Sequence, residues 1–372
     1  MIQQSLSRAT SEHPTNQRTA ADPGRSVSFW NAAARIESAS APASRLRHRA
    51  KFLFRSWCRP RLTRAWLACL VQPDLAPLWA LRPRLATKLQ RPYVSSEWTV
   101  PVRFAALFGH YDALPRLLAP AALAAIYADG TDVLALINPQ SGRRLKLRLL
   151  YQDQFEKEGE LTLAVVDGAT GLNIAGLTFC LAQNDGRLIA IIGGLQAHPD
   201  PRTRGLIHDV AKEMCGLRPK AFALWCLQQL AALWRVEQIQ AVCDQQHIYR
   251  HWRKQREIAA SYDEFWSECD GRRLPGGGWE LPLQMRQRTR AELKPTRRKL
   301  HEQRYALLQA LRPQLFAALE NLAPGGSVAG GDLTPTLEFI FPARESPARV
   351  QPAPPAPEFV LSPALSQPNH SF

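Results

Sequence analysis

Five short strand-like runs follow one another between residues 132 and 196, and they restrict the fold of this 372-residue chain more than any other feature. Short segments at 139–142, 167–171 and 184–186 separate several of them and combine Gly with Pro, Asn, Asp or Ser. Because turns of this kind join neighbouring antiparallel strands, the pattern predicts a β-meander. The predicted strands are 132–138, 144–151, 160–166, 172–181 and 187–196.

The hydrophobic period changes to that of helices after residue 196. Segments 202–215 and 219–235 are predicted helices, because Gly216 suits the end of the first and Pro219 the start of the second. The run 237–243 predicts a strand that returns to the sheet through a right-handed crossover. The predicted fold class is therefore α+β, an antiparallel β-meander plus a β-α-β unit, flanked by N- and C-terminal helices.

Helical patterns dominate both flanks of the predicted sheet. Prolines cut residues 45–90 into short helices, and a helix at 103–118 is expected to stop or kink at Pro115. The prolines that divide the first region are Pro60, Pro73, Pro77 and Pro83. After the crossover we expect helices at 248–259 and 261–268, a short strand within 274–283 and a long basic amphipathic helix at 287–320.

The two ends of the chain have the composition of disordered segments. Residues 1–45 are rich in Ser, Ala, Thr and Arg, and residues 321–372 carry Gly-rich and Pro-rich stretches. Such segments bury too little apolar surface to offset the loss of chain entropy. We therefore predict two disordered tails, 1–45 and 321–372, around a single α+β domain at 46–320.

Positive charge is concentrated in two segments. The formal net charge is +15, with eight Lys or Arg residues between Arg45 and Arg64 and eight between Arg286 and Arg304. This favours an anionic ligand, an anionic membrane surface or envelope component or, ranked below these, nucleic acid. The alternative is that a genome of high GC content simply favours arginine.

Cysteine usage and hydropathy indicate a cytoplasmic protein. The seven cysteines are an odd number without the paired spacing of metal ligands, as expected for reduced thiols. No apolar run reaches 18 residues, and the N-terminus lacks the apolar core of a secretory signal. We expect a cytoplasmic location and leave peripheral attachment to the inner membrane open.

Five short motifs stand in order along the centre of the chain. They are 158–163 (EGELTL), 192–196 (IGGLQ), 216–220 (GLRPK), 247–249 (HIY) and 261–266 (SYDEFW). Through these motifs the chain resembles the VirK/YbjX family of bacterial proteins, a family catalogued as a domain of unknown function, over roughly residues 100 to 312. The resemblance implies an association with virulence and envelope stress in Gram-negative bacteria. It implies no established reaction.

The order of the central elements also resembles that of the GNAT acyltransferase superfamily. There, a loop of pattern R/Q-x-x-G-x-G/A holds the pyrophosphate of coenzyme A on backbone amides at a helix N-terminus. Arg202 and Gly205 fit this pattern, whereas Ile207 stands where Gly or Ala is expected. The resemblance implies acyl-CoA as the cofactor, and the alternative is a loop of solvated arginines. The candidate cofactor-binding residues are Gln196, Arg202, Arg204, Gly205, Arg218 and Lys220.

His247 and Tyr249 are the candidate catalytic residues. They follow the last strand of the β-α-β unit, where GNAT enzymes often place a tyrosine that protonates the departing thiolate. The structural alternative is a half-buried helix start. Arg218 and Lys220 could hold a phosphate or carboxylate, or they could belong to a simple turn between two helices.

Acidic and aromatic clusters admit structural interpretations as well. The aromatic residues of the 261–266 motif share one helix face, which favours packing on the sheet over a substrate pocket. Three alternating glutamates precede a strand, and we expect them to be exposed charges at a sheet edge, although either of the last two could act as a base. They are Glu156, Glu158 and Glu160.

Two functional hypotheses remain open on the sequence. The first is an acyltransferase-like protein that uses acyl-CoA, and the second is a non-enzymatic binding protein whose basic helices dock on an anionic membrane, nucleic acid or a partner protein. The sequence contains no Walker P-loop, no H-E-x-x-H and no G-x-S-x-G, which argues against an NTPase, a zincin and an α/β hydrolase. No metal site is predicted.

Overall fold

The five predicted strands form the antiparallel meander. The structure, a computed structural model, describes residues 27–36, 42–138, 141–249, 261–326 and 336–338, all within one compact unit. Each strand pairs antiparallel with the next one along the chain. The strands are β1 (Thr131–Ile137), β2 (Arg144–Leu150), β3 (Leu161–Asp167), β4 (Asn173–Asn184) and β5 (Arg187–Gln196).

A series of helices precedes the sheet along the chain. Proline lies in the first turn of several of them, because that turn leaves its amide hydrogens unpaired and proline has none to lose. The helices are α1 (Phe29–Arg35), α2 (Pro42–Cys58), α3 (Pro60–Leu70), α4 (Ala76–Leu81), a 3-10 helix (Pro83–Gln90), α5 (Val100–Leu117) and α6 (Pro120–Ala128). The prolines therefore divide residues 45–90 as predicted.

A two-helix crossover joins β5 to a parallel strand. Helix α7 (Arg202–Glu213) leads to Gly216, whose φ of +74° lets the chain turn, and α8 (Pro219–Leu233) starts at the predicted proline. Strand β6 (Gln238–Ala241) then pairs parallel with β5. The predicted β-α-β unit is thus present, with two helices in its connection.

Short strands complete both edges of the sheet. The remaining elements are α9 (Tyr262–Glu268), β7 (Arg272–Arg273), β8 (Trp279–Leu281), α10 (Pro295–Glu320) and β9 (Thr336–Glu338). The strand order is β7-β8-β6-β5-β4-β3-β2-β1-β9. The α+β prediction is confirmed.

The core is built around β4. Residues 174–182 of this strand are all buried, and because successive side chains point to opposite faces, both faces of the strand are covered. Helices α5 and α8 both contact it. The approach of α5 is close at Gly109, where an added Cβ would lie 2.9 Å from the backbone nitrogen of Gln183.

The N-terminal boundary differs from the predicted one. Helix α1 lies inside the stretch 1–45 that was expected to be a disordered tail, and it buries Ala32, Ala33 and Ile36 in the core. Its signal in the sequence is short, since only seven residues are helical. Residues 1–26, 37–41, 327–335 and 339–372 of the predicted tails lie outside the described residues.

Other boundaries shift for local reasons. Helix α5 includes Pro115 and ends two residues after it, close to the predicted stop. Helix α10 begins only at Pro295, because a separate 3-10 turn at Arg290–Glu292, capped by Thr289, occupies the preceding residues. Residues 247–249 form a bridge and turn instead of the predicted helix start, and 250–260 lie outside the described residues.

The cysteines and the hydropathy of the helices bear on the expected location of the protein. All seven cysteines are free thiols, four of them buried. Among the described residues no helix is long and apolar enough to cross a membrane.

Candidate functional site

A wholly buried glutamate, Glu158, is the point at which three of the sequence motifs meet. It precedes β3. Gln196, the last residue of β5, donates a hydrogen bond to its Oε1. His247 Nε2 lies 3.3 Å from the same oxygen, within the range of electrostatic attraction but without hydrogen-bond alignment. Chain segments up to 89 residues apart in sequence therefore converge on one carboxylate.

Two glycines of β5 make room for this carboxylate. A Cβ at Gly193 would lie 2.0 Å from the backbone oxygen of Glu158, and a Cβ at Gly194 would lie 1.9 Å from its Oε2. Neither distance is compatible with a side chain. The two glycines of the 192–196 motif are thus required by the close approach of the Glu158 segment to the strand.

The space between β5 and β6 is filled by α9. The two strands pair only up to Ile192 and Ala241, and β5 then continues alone to Gln196. The Tyr262 hydroxyl accepts a hydrogen bond of 3.2 Å from the Leu195 amide, and its ring centroid lies 4.9 Å from that of His247. Strand β6 therefore ends beside Ile192, and buried side chains of α9 and of the 247–249 motif cover the end of β5 that it leaves unpaired.

A capping network fixes the start of α9. The Ser261 hydroxyl accepts from the Glu264 amide, as an N-cap does. Asp244, just after β6, accepts hydrogen bonds from both the Ser261 hydroxyl and the Tyr262 amide. The predicted aromatic face is confirmed, because Tyr262, Phe265 and Trp266 are all buried.

Burial dominates the electrostatics of Glu158. It raises the pKa of this carboxyl, while His247 and Gln196 act in the opposite direction by stabilising the charged form. Within the described part of the chain, Glu158 Oε2 and His247 Nδ1 have no hydrogen-bond partner. The carboxylate and the imidazole therefore face each other in a buried position with hydrogen-bonding capacity left unused.

A second buried carboxylate, Glu160, lies two residues after Glu158. Lys88 Nζ is 2.8 Å from Glu160 Oε1, and the Tyr111 hydroxyl donates to Oε2 at 2.6 Å. Glu156 in turn pairs with Arg84 and Arg91. The expectation that Glu156, Glu158 and Glu160 are exposed edge charges is therefore wrong. All three are buried, and residues from distant segments, which period and propensity do not reveal, contact one or both oxygens of each.

The structure brings three of the candidate residues together at this buried centre. Gln196 and His247 contact Glu158 directly. The ring of Tyr249 lies 5.8 Å from that of His247, and its hydroxyl donates to the Gln154 carbonyl at 3.3 Å. Burial and the two nearby carboxylates raise the pKa of Tyr249 to about 12, so its hydroxyl is protonated at neutral pH.

The proposed anion loop forms the first turn of α7. Arg202 makes two hydrogen bonds to Asp200, at 3.0 and 2.8 Å, and its side chain is 70% exposed. Arg204 and Gly205 are exposed as well. A neighbouring carboxylate already neutralises Arg202, which matches the alternative of a solvated loop better than that of an anion site.

Arg218 and Lys220 contact a different part of the chain. Arg218 pairs with Glu268 at the end of α9 and lies 5.7 Å over the ring of Phe265. Burial and the Arg218 charge lower the pKa of Lys220. The 216–220 motif therefore joins the start of α8 to α9, and together the five motifs hold one region of the fold.

A surface that the motif analysis missed lies on α1 and α2. Four large apolar side chains are exposed there, and we call them the apolar stripe: Trp30 (63%), Leu46 (70%), Phe54 (67%) and Trp57 (59%). The rings of Trp30 and Trp57 are 6.3 Å apart, which joins the two helices. The spacings from Leu46 to Phe54 and from Phe54 to Trp57 place these side chains on one face of a helix. The sequence alone does not show whether that face points toward the core or toward solvent.

Taken together, the fold and the buried centre define an α+β protein with a nine-stranded, mostly antiparallel sheet and a buried Glu–His pair. A family model described as "Protein of unknown function (DUF535)" matches residues 42–317. The chain belongs to this family, which confirms the resemblance seen in the sequence.

Two uncharacterized bacterial proteins are similar to this chain. The chain is 32% identical over 276 residues to the uncharacterized protein YbjX of Escherichia coli K12, a match that covers 72% of this chain and 82% of YbjX. It is 24% identical over 202 residues to an uncharacterized protein of Haemophilus influenzae, covering 49% of this chain and 67% of that protein. No solved structure matches the chain.

The close contact between Gly193 and the backbone of Glu158 gives a first prediction. We expect Gly193→Ala to lower the free energy of unfolding by about 1–3 kcal/mol or more, because the added Cβ meets backbone. Gly205→Ala is the matched control: its Cβ meets nothing within 4 Å, so the better helix former should stabilise by up to about 1 kcal/mol. Urea unfolding of both variants measures the difference, and equal effects would contradict the role given to Gly193.

A second prediction concerns pH. Because the pKa of Glu158 is raised on folding, the unfolded chain loses its proton first and stability falls as pH rises from the ordinary glutamate value of 4.5 to the folded-state value. Glu158→Gln removes this titration. Its melting temperature relative to the parent should therefore increase between pH 4.5 and 7.5.

The control for this pH series is Glu237→Gln, which removes a half-exposed carboxylate beside β6. It reports how the loss of a surface negative charge alone changes stability with pH. A Glu158→Gln difference that is constant with pH, or that follows the control, would show that Glu158 titrates alike in both states.

Proposed function

We propose that this protein is a peripheral membrane-binding protein that docks on an anionic lipid surface through α1 and α2. The observation that carries the proposal is the apolar stripe beside a row of cations on one exposed face. Interfacial helices combine these two features, since the apolar side chains enter the lipid boundary and the cations meet anionic headgroups.

The apolar side of this face is large for a water-exposed surface. Leu46, Phe54 and Trp57 fall within ~80° of one another around α2, at 3.6 residues per turn. Trp30 extends the stripe onto α1. Large exposed apolar patches mark interaction sites, and Trp is enriched where membrane meets water.

The basic side adjoins the stripe on the same helix. Arg47, Lys51 and Arg55 also lie within ~80° of one another, directly beside Phe54. No Asp or Glu occurs between Arg45 and Arg64, and in the described part of the chain none of the cations of this segment forms a salt bridge. These charges are therefore available to an anionic partner, at about 1 kcal/mol per residue near an anionic membrane.

The other basic segment is less available. Arg286 pairs with Asp270 and Glu292, and Arg290 pairs with Glu302. Arg298 and Arg304 donate to backbone carbonyls. Structural contacts thus occupy half of the eight cations at 286–304, which leaves α2 as the better docking surface.

A lipid surface fits the α1–α2 face better than nucleic acid does. Exposed aromatic rings beside cations can also stack on bases. Leu46 belongs to the same stripe, however, and an aliphatic side chain gains from lipid without contributing to stacking. We therefore propose an anionic membrane, with the cytoplasmic face of the inner membrane as the proposed location, and treat nucleic acid and protein partners as outcomes of the test below.

An acyl-CoA-dependent acyltransferase is the second candidate. In its favour, β5 and β6 pair in parallel, a helix begins soon after β5, and Tyr249 lies beside the buried His247. Against it, Arg202 pairs with Asp200, and Tyr262 covers the end of β5 that β6 leaves unpaired. The geometry thus supports membrane docking more directly.

Vesicle binding tests the main proposal. The protein should co-sediment with phosphatidylcholine vesicles that contain phosphatidylglycerol, and the double variant Phe54→Ser/Trp57→Ser should bind at least tenfold more weakly. Leu283→Ser is the control, because Leu283 is a 40% exposed apolar residue elsewhere on the protein. Affinity should also fall as salt increases, since screening weakens the contribution of the cations.

Three results would contradict membrane docking. The first is no binding to anionic vesicles at low salt, the second is equal binding by the double variant, and the third is equal loss in the Leu283→Ser control. Displacement of the vesicles by duplex DNA at equal charge would favour nucleic acid as the partner.

A thermal-shift series with acyl-CoAs tests the second candidate. A ligand at 100 times its Kd should stabilise the fold by about 2.7 kcal/mol. Gly205→Val should abolish this shift if the α7 amides hold the pyrophosphate, and because a Cβ at this position meets open space, the folded protein should survive the change. A shift that Gly205→Val leaves intact would remove the α7 turn from the cofactor site.

A further inference from the structure

A cavity lined by several cationic side chains lies beside α2. Its volume is about 700 Å³, which is in the range of small-molecule sites. Helix α2 lines one side, and the 3-10 helix 83–90 with its flanks lines another. The basic lining residues are His48, Lys51, Arg55, Arg82, Arg84 and Arg91.

Positive charge exceeds negative charge at this cavity. With His48 neutral, five cationic side chains line it, while the two carboxylates in contact with them are Asp153 and Glu156, so three positive charges are in excess. Asp153 pairs with Arg82, at 3.0 Å. The single carboxylate of Glu156 accepts from both Arg84 and Arg91.

The cations on the α2 side are the free ones. Lys51 makes no hydrogen bond or ion pair to any other described residue, and Arg55 makes one hydrogen bond, of 3.0 Å, to the Gln90 carbonyl. Both side chains belong to exposed residues. The cavity therefore presents unneutralised donors at its solvent side and arginines held by Glu156 deeper in its wall.

We infer that this cavity binds the terminal phosphate of an anionic lipid headgroup. A phosphomonoester carries a charge of about −1.5 to −2 at neutral pH and three acceptor oxygens, which matches an excess of three cations better than a singly charged phosphodiester does. Arginine suits such a group, because its planar fork donates two parallel hydrogen bonds to phosphate oxygens.

The position of the cavity relative to the apolar stripe favours a lipid as the source of the phosphate. Around α2, the stripe spans Leu46 to Phe54, the cations Lys51 and Arg55 follow, and His48 and Phe52 continue into the cavity wall. A lipid whose acyl chains lie at the stripe would thus place its headgroup beside the cavity. This inference rests on the proposed membrane docking and names the headgroup that the docked protein selects.

The test compares two anionic lipids at matched surface charge. Phosphatidic acid presents a phosphomonoester and phosphatidylglycerol a phosphodiester, and the amount of each in phosphatidylcholine vesicles is set to give equal zeta potential. We expect the parent protein to bind the phosphatidic acid vesicles at least tenfold more tightly. Glycerol 3-phosphate and dimethyl phosphate, titrated calorimetrically, test the same preference without a membrane.

Two double variants with the same change in charge locate the effect. Lys51→Gln/Arg55→Gln should remove the preference for phosphatidic acid. Arg297→Gln/Lys299→Gln removes two exposed cations of α10 and should retain it. Melting temperatures of both variants confirm that they are folded.

The outcomes separate the cavity from the membrane proposal. Equal binding of both vesicle types by the parent, or equal preference in the two double variants, would overturn the cavity site and leave membrane docking intact. Binding of glycerol 3-phosphate that depends on Lys51 and Arg55, without any vesicle binding, would support a phosphate site but overturn lipid as its source. If the parent protein binds neither the vesicles nor glycerol 3-phosphate, both proposals are overturned.

Discussion

The burial of Glu158 against two glycines is the constraint on which the central architecture depends. A carboxylate inside a protein is costly unless groups around it compensate, and here Gln196 and His247 do so from β5 and from the segment after β6. Gly193 and Gly194 leave the space that Glu158 occupies, and α9 packs beside them through the hydrogen bond between Tyr262 and the Leu195 amide. Sheet and helices are thus joined through one polar centre.

The neighbouring glutamates, Glu156 and Glu160, likewise pair with residues from a distant segment, which lies nearer the surface. Glu158 faces the sheet centre, Glu160 holds Lys88, and Glu156 holds Arg84 and Arg91. All three cations lie on the 3-10 helix or directly after it. Alternate residues of one short segment therefore anchor the wall of the cationic cavity to the buried centre. Arg84 and Arg91 of that wall have a buried carboxylate as their partner.

Local pattern was sufficient for the meander and insufficient for the sites, and it missed β9, which pairs with β1 from within the stretch 321–372 that was predicted to be disordered. Alternating apolar residues and short turns predicted β1 to β5, because period and turn chemistry are properties of neighbouring residues. The partners of Glu158 and Glu160 are 38 to 89 and 49 to 72 residues away, respectively, and no local rule relates them. For the same reason the glutamates were expected at the surface. The stripe on α2 was visible as a spacing, but only the packing of Phe52 and Leu53 showed which side faces outward.

The division between the buried centre and the α1–α2 face also bears on how the protein would work at a membrane. The five motifs maintain the interior, where Glu158 and His247 are closed to solvent, whereas the stripe and the free cations stand on helices that precede the sheet. Ring contacts between Trp30 and Trp57, and the hydrogen bond from Arg49 to the Ala34 carbonyl, hold α1 to α2. The docking face is therefore a preformed surface, and binding does not need to order it first. Its proposed affinity for lipid should depend on the exposed stripe, and its proposed headgroup preference on the exposed cations Lys51 and Arg55 of the same helix.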